Sequence, residues 1–215
     1  PSCAERMCGR FAITSPHDAM AQLFAALPGN DLPRVPNLNV CPTDPVHVVT
    51  AQGGRSLSAM RWGFLPAWYT APNAGPLLIN ARAETIATKP AFRDACRARR
   101  CLIPASAFYE WTGEKGRKQP WRIARADGAP LAFGGIWQRW GPEGLPTCAI
   151  VTCAANEVMA RLHHRMPVIV EPNDWPLWLG EAGHGAATLM RAAAEDALVF
   201  EEGGPGQAPS NAQIV

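Results

Sequence analysis

Five short apolar segments follow one another in the middle of the sequence, and turn-forming residues separate them. They lie at 101–104, 107–111, 121–125, 131–139 and 147–153. Closely spaced segments of this length, rich in β-branched and aromatic residues, predict successive antiparallel strands. Further strands are predicted at 8–13, 46–50, 56–62 and 168–170. A chain built in this way has to pack sheet against sheet, which excludes an all-helical fold.

Helices are predicted to be shorter and fewer than the strands. Ser15-Pro16 is typical of a helix start, with Ser15 as the N-cap and Pro16 in the first turn. The apolar face of this helix would consist of Met20, Leu23, Phe24 and Leu27. Other helices are predicted at 90–99, 155–163, 172–179 and 185–194. No repeat or linker divides the chain, so we predict a single α+β domain over residues 8–200.

The composition excludes several classes of protein. The net charge is +2, so a nucleic-acid site would need a local concentration of arginine. Seven cysteines without a CxxC pair predict neither a disulfide framework nor a zinc site, and no other metal or cofactor is expected. Because no run of 18 apolar residues occurs, we expect no membrane segment and a cytoplasmic protein. The Gly/Pro/Ser-rich residues 203–215 are predicted to form a disordered tail.

Cys8 follows Met7 near the front of the sequence. A cysteine in this position can become the first residue of a mature protein, with an amine and a thiol on adjacent carbons. The amine condenses with an aldehyde to an imine, and the thiolate then closes a thiazolidine ring. While residues 1–7 remain attached the nitrogen is an amide, so we expect this leader to be absent or removed in the active form. The alternative is that Cys8 is a small apolar residue that opens the first strand.

Nine short motifs occur in one order along the chain. They are Cys8-Gly9-Arg10-Phe11, Asn39-Val40 with Pro42-Thr43, Arg61-Trp62-Gly63 with Pro66 and Trp68, Asn80-Ala81-Arg82-Ala83-Glu84-Thr85, Arg100-Cys101-Leu102-Ile103-Pro104-Ala105, Phe108-Tyr109-Glu110-Trp111, Lys118-Gln119-Pro120, Ala154-Ala155-Asn156, and His163 with Arg165-Met166-Pro167. Each motif is weak alone. In this order they resemble the SRAP (SOS response-associated peptidase) family of abasic-site processing proteins.

The resemblance implies strongly curved, barrel-like, mostly antiparallel sheets flanked by short helices. It also implies a monomer in the DNA damage response that binds single-stranded DNA and captures abasic sites through Cys8. A ring-opened abasic deoxyribose exposes an aldehyde at C1′, with which the aminothiol of Cys8 would form a stable thiazolidine crosslink. The implied partner is single-stranded DNA that contains abasic sites.

Three further residues would serve this chemistry. Glu110, between Tyr109 and Trp111, could take a proton from the amine, because aromatic neighbours remove water from a carboxylate. His163 could protonate the sugar oxygen that leaves, and Asn80 could hold the amine, the thiolate or a sugar hydroxyl. Each also has a structural alternative: an ion-pair partner, a core or capping histidine, and a helix cap. His164 is expected to point outward.

Arginines and tryptophans would bind the DNA around this chemistry. Arg10, Arg82 and Arg165 lie next to or near Cys8, Asn80 and His163 in sequence, so their guanidinium groups are predicted to converge on phosphates. Trp62 and Trp68 are predicted to stack on bases that flank the lesion. Trp62 could instead belong to the core, which makes Trp68 the better candidate. Such a site reads no base edges and should tolerate any sequence.

Two other functions remain open at this stage. A thiol peptidase or autopeptidase would use Cys8 as its nucleophile and His163 as its base. It would need only the thiol and would tolerate a blocked amine, whereas a thiazolidine needs both groups. A non-catalytic module for binding single-stranded DNA would keep the arginines and tryptophans and would not depend on Cys8.

Overall fold

The computed structural model describes residues 9–114 and 116–207, and within them strands dominate. The strands are β1 (Phe11–Ile13), β2 (Leu27–Pro28), β3 (Asn37–Val40), β4 (Pro45–Thr50), β5 (Ser56–Trp62), β6 (Asn80–Arg82), β7 (Arg100–Ala105), β8 (Ala107–Thr112), β9 (Gln119–Arg125), β10 (Leu131–Trp140), β11 (Leu145–Ala154), β12 (Arg165–Pro167) and β13 (Leu198–Glu202). The helices are α1 (His17–Phe24), α2 (Arg93–Ala98), α3 (Glu157–Ala160) and α4 (Trp175–Leu179), with 3-10 turns at Pro172–Asp174 and Ala186–Leu189.

A closed barrel of five strands forms the centre of the fold. Its strands β5, β4, β7, β10 and β11 pair antiparallel in that order, and a parallel pairing of β11 with β5 closes the ring. Closure leaves the barrel without an exposed strand edge. Both faces of its strands are covered: Leu57, Leu102 and Ile103 have no exposed surface, although Leu102 and Ile103 are neighbours on β7.

A second antiparallel sheet covers one side of the barrel, in the order β13-β9-β8-β1-β3. The chain crosses into it at Ser106, between β7 and β8. Phe11 of β1 and Phe108 of β8 both pack edge-on against Phe133 of the barrel strand β10, with ring centroids 5.9 Å apart in each case. This apolar layer couples the two sheets. The predicted fold class, curved and barrel-like antiparallel sheets flanked by short helices, is therefore confirmed.

The first helix differs from its prediction at both ends. The Ser15 side chain makes no capping hydrogen bond; the helix begins at His17 with Pro16 in the N-cap position. It ends at Phe24, because Ala25 adopts a left-handed conformation with φ of 49°. The chain then extends, and Leu27 joins the edge of the barrel beside Ser56. Met20 and Phe24 are buried as predicted, whereas Leu23 and Leu27 are exposed.

The last part of the chain also departs from its prediction. Residues 185–194 hold only a 3-10 turn, Ala186–Leu189, in place of the predicted helix. The strand β13 was not predicted, and it pairs with β9 along its whole length. Of the predicted tail, residues 203–207 are described, and the N–H of Gly203 donates to the carbonyl of Pro120. Residues 208–215 lie outside the described part of the chain.

Two further predictions were close to the structure. The predicted strand at 168–170 begins earlier, as β12, and residues 168 and 170 continue its hydrogen bonding. The predicted helix at 90–99 is present as the shorter α2. Among the described residues, no helix is both long enough and apolar enough to cross a membrane.

Candidate functional site

The start of the described chain lies against the strand that carries Glu110. Cys8, the predicted nucleophile, and residues 1–7 lie outside the described residues. Phe11 pairs with Phe108, and the N–H of Tyr109 donates to the carbonyl of Arg10 over 3.0 Å. Continuing this antiparallel register brings Gly9, which is buried, level with Glu110.

Glu110 is a buried carboxylate on β8, with 5% of its surface exposed. Side chains alternate along a strand, so it lies on the same face as Phe108, toward the apolar layer between the sheets. Across the sheet it is paired with Trp121 of β9. Buried acidic residues are rare in proteins, and one at the end of an apolar layer is a candidate for proton transfer.

Arg10 brings a positive charge to the same end of the sheet. Its Nη1 donates to Oδ1 of Asn39 over 3.2 Å, and the guanidinium lies 5.8 Å from the centre of the Trp111 ring. None of the ion pairs among the described residues includes Arg10. A guanidinium held by an amide and an aromatic ring keeps its charge for an anionic ligand.

Asn80 and Arg82 lie on the short strand β6, which pairs in parallel with β11. In this register Asn80 is opposite Ile150, and Arg82 is opposite Thr152. Ala81 between them is fully buried, so Asn80 and Arg82 share the other face of β6. Arg82 is exposed and takes part in no ion pair among the described residues. Its position suits a contact with phosphate.

His163 lies directly before β12, close to the same strand of the barrel. Its Nδ1 accepts a hydrogen bond from the backbone N–H of Arg165 over 3.0 Å, so the neutral ring carries its proton on Nε2. The ring stacks on His164, with centroids 4.4 Å apart. Burial, and then the charge of His164, lower the pKa of His163 below its ordinary value. His164 itself is exposed, as predicted.

Arg165, predicted to contact a phosphate, is engaged with a carboxylate of the protein itself. Its two terminal nitrogens donate to the two carboxylate oxygens of Glu84, over 2.7 and 2.9 Å. Nη2 also donates to the carbonyl and the hydroxyl of Thr152. With 12% of the side chain exposed, this guanidinium is neutralised and enclosed. The bidentate hydrogen bonds hold the pKa of Glu84 below its usual value and fasten β12 to the segment after β6.

Trp62 is a core residue, and the prediction that it stacks on DNA bases is wrong. It has no exposed surface, and its Nε1–H donates to the carbonyl of Ile79 over 3.1 Å. Its ring lies 5.1 Å from that of Phe11. Trp62 therefore connects the strand that follows Cys8 with the residue that precedes Asn80. It links the two parts of the site from inside the fold.

Trp68 has the opposite environment, in a loop with 58% of its surface exposed. Its ring meets that of Tyr69 edge-on, at 6.5 Å. Tyr69 is anchored in turn: its hydroxyl donates to the carbonyl of Pro76, and its own carbonyl accepts from Nε1 of Trp140. An exposed indole on an anchored loop is suited to stacking on a base.

The structure thus brings the predicted residues together in two groups. Arg10 and Glu110 lie at the end of the β1–β8 pair. Asn80 and Arg82 lie opposite Ile150 and Thr152 of β11, and His163 precedes β12, which pairs with the same strand. The ring of Phe11 packs on that of Trp62, which donates to the carbonyl of Ile79, and these contacts join the groups.

Sequence reasoning gave no role to Glu84 or Thr152. The acidic residue within the arginine-containing motif 80–85 was a usable signal for Glu84, since it could be the partner of a neighbouring arginine. Nothing in the sequence marks Thr152. Within the described residues no group of three or more His, Cys, Asp or Glu side chains could hold a metal ion.

Comparison with known proteins places the chain in a family. The sequence profile of the family described as "SOS response associated peptidase (SRAP)" matches residues 7–202, and the chain belongs to this family. The resemblance found from the motifs is therefore confirmed.

Characterised relatives and solved structures agree with this assignment. The chain is 38% identical over 181 residues to the abasic site processing protein YoqW of Bacillus subtilis, covering 80% of each chain. It is 33% identical to the abasic site processing protein YedK of Escherichia coli, over 80% of this chain and 79% of the other. A crystal structure of a protein from Bordetella bronchiseptica matches with a TM-score of 0.76 and 27% identity, covering 91% of this chain and 99% of that one. A protein from Bacteroides thetaiotaomicron matches in fold, with a TM-score of 0.80 and 23% identity over 91% of each chain.

Proposed function

We propose that this protein processes abasic sites by capturing them covalently in single-stranded DNA, with Cys8 as the nucleophile. The observation that carries the proposal is the pairing at the start of the chain. Gly9, the residue after Cys8, lies level with the buried Glu110, and Arg10, which is in no ion pair with a described residue, follows on the opposite face of the sheet over Trp111. The relatives YoqW and YedK are named abasic site processing proteins, and we take the abasic site as the lesion from these names.

The reaction uses both groups of an N-terminal cysteine. The amine of Cys8 adds to the C1′ aldehyde of the ring-opened sugar, and loss of water gives an imine. The thiolate then adds to the imine carbon and the nitrogen takes up a proton, which closes the thiazolidine. One C–N bond and one C–S bond form and one water leaves, so no oxidant or cofactor is needed. Cys8 must therefore be the first residue of the reacting protein.

Three residues assist this sequence. Glu110 accepts a proton from the amine, because its carboxylate is buried at the level of the first residues of the chain. Asn80 orients the sugar or the aminothiol with its amide. His163 keeps its Nδ1 engaged by the N–H of Arg165, which leaves Nε2–H to donate to the sugar oxygen as the ring opens.

DNA is held by charge and stacking. Arg10 and Arg82 contact phosphates, and the exposed Trp68 stacks on a base next to the lesion. Trp68 needs an unpaired base, which favours a single strand. We therefore expect a monomer that binds without sequence preference and loses affinity as salt rises.

Intact mass after incubation with an abasic single-stranded oligonucleotide tests the proposal. We expect one adduct, equal to protein plus oligonucleotide minus water, on a protein that begins at Cys8. Cys8→Ala should give no heat-stable adduct yet bind the oligonucleotide almost as well, since phosphate contacts supply the affinity. Cys8→Ser should be nearly as defective, because oxazolidines hydrolyse readily.

A blocked amine separates the proposal from its alternatives. Acetylation of Cys8 at its nitrogen should abolish the adduct, whereas a thiol peptidase would retain its activity. A protein that keeps residues 1–7 and still forms the adduct at full rate would overturn the aminothiol mechanism. An adduct with Cys8→Ala would show that another residue is the nucleophile.

A further inference from the structure

A cavity of about 260 Å³ lies apart from the residues described above. It is formed where the end of α2 and the end of α4 approach the turn after β4, and Gln52, Arg97, Arg100, Trp137, Gly180 and His184 are among its lining residues. Trp137 is paired with Cys148 on β11, whereas Arg82 is paired with Thr152. Four residues of strand separate these positions, which corresponds to roughly 13 Å.

The charged side chains of this cavity are all basic. Arg97, Arg100 and His184 line it, and no carboxylate does. Neither arginine forms an ion pair with a described residue. Glu181, which follows the lining residue Gly180 in sequence, is engaged with Arg55 over 2.7 Å. The positive charge of the cavity is therefore not balanced by the surrounding described protein.

Arg100 is held in place by backbone carbonyls alone. Its Nε donates to the carbonyl of Trp178 over 2.6 Å, and its Nη1 to that of Cys96 over 2.8 Å. Its Nη2 makes no hydrogen bond to a described residue. Burial lowers the pKa of this guanidinium, because removing a positive charge from water is unfavourable. An anion in the cavity would reduce that cost.

Trp137 adds an independent observation. The indole is buried, and its Nε1–H has no hydrogen-bond acceptor among the described residues. Buried N–H groups without an acceptor are rare in folded proteins, because each costs about 1–3 kcal/mol. The same residue lines the cavity.

We propose that this cavity, lined by Arg97, Arg100, Trp137 and His184, binds a phosphate group. Guanidinium and indole groups only donate hydrogen bonds, and the fork of an arginine matches the oxygens of a phosphate. Pockets for drug-sized ligands are usually about 300–1,000 Å³. This smaller cavity suits a single phosphate group, either free or part of a DNA backbone. The site goes beyond the proposed capture reaction and does not depend on Cys8.

The indole N–H signal of Trp137 in a two-dimensional ¹H–¹⁵N NMR spectrum reports directly on the site. Trp137→Phe assigns this signal among those of the eight tryptophans. The protein would be titrated with inorganic phosphate, and separately with a single-stranded oligonucleotide that lacks an abasic site, with sodium chloride at equal ionic strength as reference. We expect a saturable shift of the Trp137 signal that chloride does not cause.

Two arginines on α2 provide the matched variants. Arg97 lines the cavity with an exposed side chain, so Arg97→Ala should preserve the fold and weaken the response about tenfold. Arg93→Ala removes the same charge from the same helix outside the cavity and should change nothing.

Saturation by phosphate alone would identify a site for free phosphate. Saturation by the oligonucleotide alone would identify a backbone contact. A Trp137 signal that moves with neither, or equal effects of Arg93→Ala and Arg97→Ala, would overturn the proposal.

Discussion

Arg82 and Arg165 flank the same residue of the barrel, Thr152, but their charges are in different states. Arg165 is neutralised by Glu84 and enclosed, whereas Arg82 is exposed and in no ion pair among the described residues. Proximity in sequence to Asn80 and His163 suggested the same role for both arginines. The side-chain partners distinguish them: the guanidinium of Arg82 is exposed, whereas that of Arg165 joins β12 to Glu84.

Alanine variants of these two arginines should therefore differ in the salt dependence of DNA binding. Arg82→Ala should reduce the slope of log K against log salt by about 0.7, the value for one phosphate of a single strand. Arg165→Ala should leave the slope nearly unchanged and lower stability by about 1–3 kcal/mol, because the hydrogen bonds of the guanidinium to Glu84 and Thr152 are lost. Fluorescence anisotropy at several salt concentrations and thermal unfolding measure both. Equal losses of slope would contradict the assignment of Arg165.

The pH dependence of crosslinking should reveal the environment of His163. Its pKa is lowered, so the imidazolium forms only as the pH falls below 6.5. Protonation places a second proton on the ring at Nδ1, which then cannot accept from the N–H of Arg165. We expect the histidine-dependent change in single-turnover rate to have its midpoint below pH 6.5, and His163→Ala to remove it and to slow the reaction by about 10²–10⁴-fold.

A time course from pH 5 to 9 for the parent, His163→Ala and His164→Ala provides the measurement. His164→Ala should move the midpoint upward, toward the ordinary value, because the charge of His164 contributes to the lowering. If His163→Ala matches the parent at every pH, His163 is a structural histidine.

At the scale of the elements, the end of β5 positions β6. Trp62 holds the carbonyl of Ile79, and the N–H of Gly63 donates to the carbonyl of Cys148. Gly63 has a φ of 144°, and a Cβ there would collide with the guanidinium of Arg61. The motif Arg61-Trp62-Gly63 thus has a structural role, because its hydrogen bonds fix the residue before Asn80. Its arginine and tryptophan alone would suggest nucleic-acid binding.

Variants of the two tryptophans should separate structure from binding. Trp62→Phe removes one of the two hydrogen bonds to the carbonyl of Ile79, since the N–H of Ile150 still donates to it, and should cost about 0.5–1.5 kcal/mol of stability. Trp68→Ala should leave the unfolding midpoint nearly unchanged and weaken single-stranded DNA binding by about 1–3 kcal/mol, the contribution of one stacked base. Denaturant unfolding and anisotropy titrations test the pair. Weaker binding by a fully stable Trp62→Phe protein would argue against a core role.

At the scale of the molecule, the end of the chain supports the beginning. The sheet order β13-β9-β8-β1 connects the last described strand, through β9, to the strand of Glu110 and then to the residues that follow Cys8. Leu198 and Phe200 are buried, and Arg122 of β9 pairs with Glu201 over 2.8 Å. Loss of β13 would expose the edge of β9, two strands from Arg10.

Truncations should show this dependence. Removal of residues 198–215 takes away two buried apolar side chains, each worth about 1.5–3 kcal/mol, and should destabilise the protein and slow crosslinking. Removal of 208–215 is the control, because it leaves β13 complete, and should have no effect. Urea unfolding and the crosslinking rate would be compared in all three proteins. Equal stability of both truncated forms would show that β13 is dispensable.

Much of the fold could be predicted because its signals are local. The strand at 56–62 follows from the turn residues before it, and the strand at 107–112 from its aromatic residues and the turn after it. The strand β13 could not be predicted, since its pairing with β9 joins residues about 75 positions apart, for example Phe200 with Ile123. The helix at 185–194 failed for the opposite reason: its alanines favour a helix locally, but tertiary packing allows only one short turn.

The sequence by itself determined the family, the class of fold and the residue types at the site. Motifs and strand patterns are local features, and they can be recognised from neighbouring residues alone. Only the tertiary structure decided which charges are free and which rings are exposed. Arg165 is neutralised because Glu84 reaches it from 81 positions away, and Trp62 is buried because Phe11 and Ile79 enclose it. Ion pairing and burial depend on neighbours in space, and those neighbours exist only once the barrel has closed.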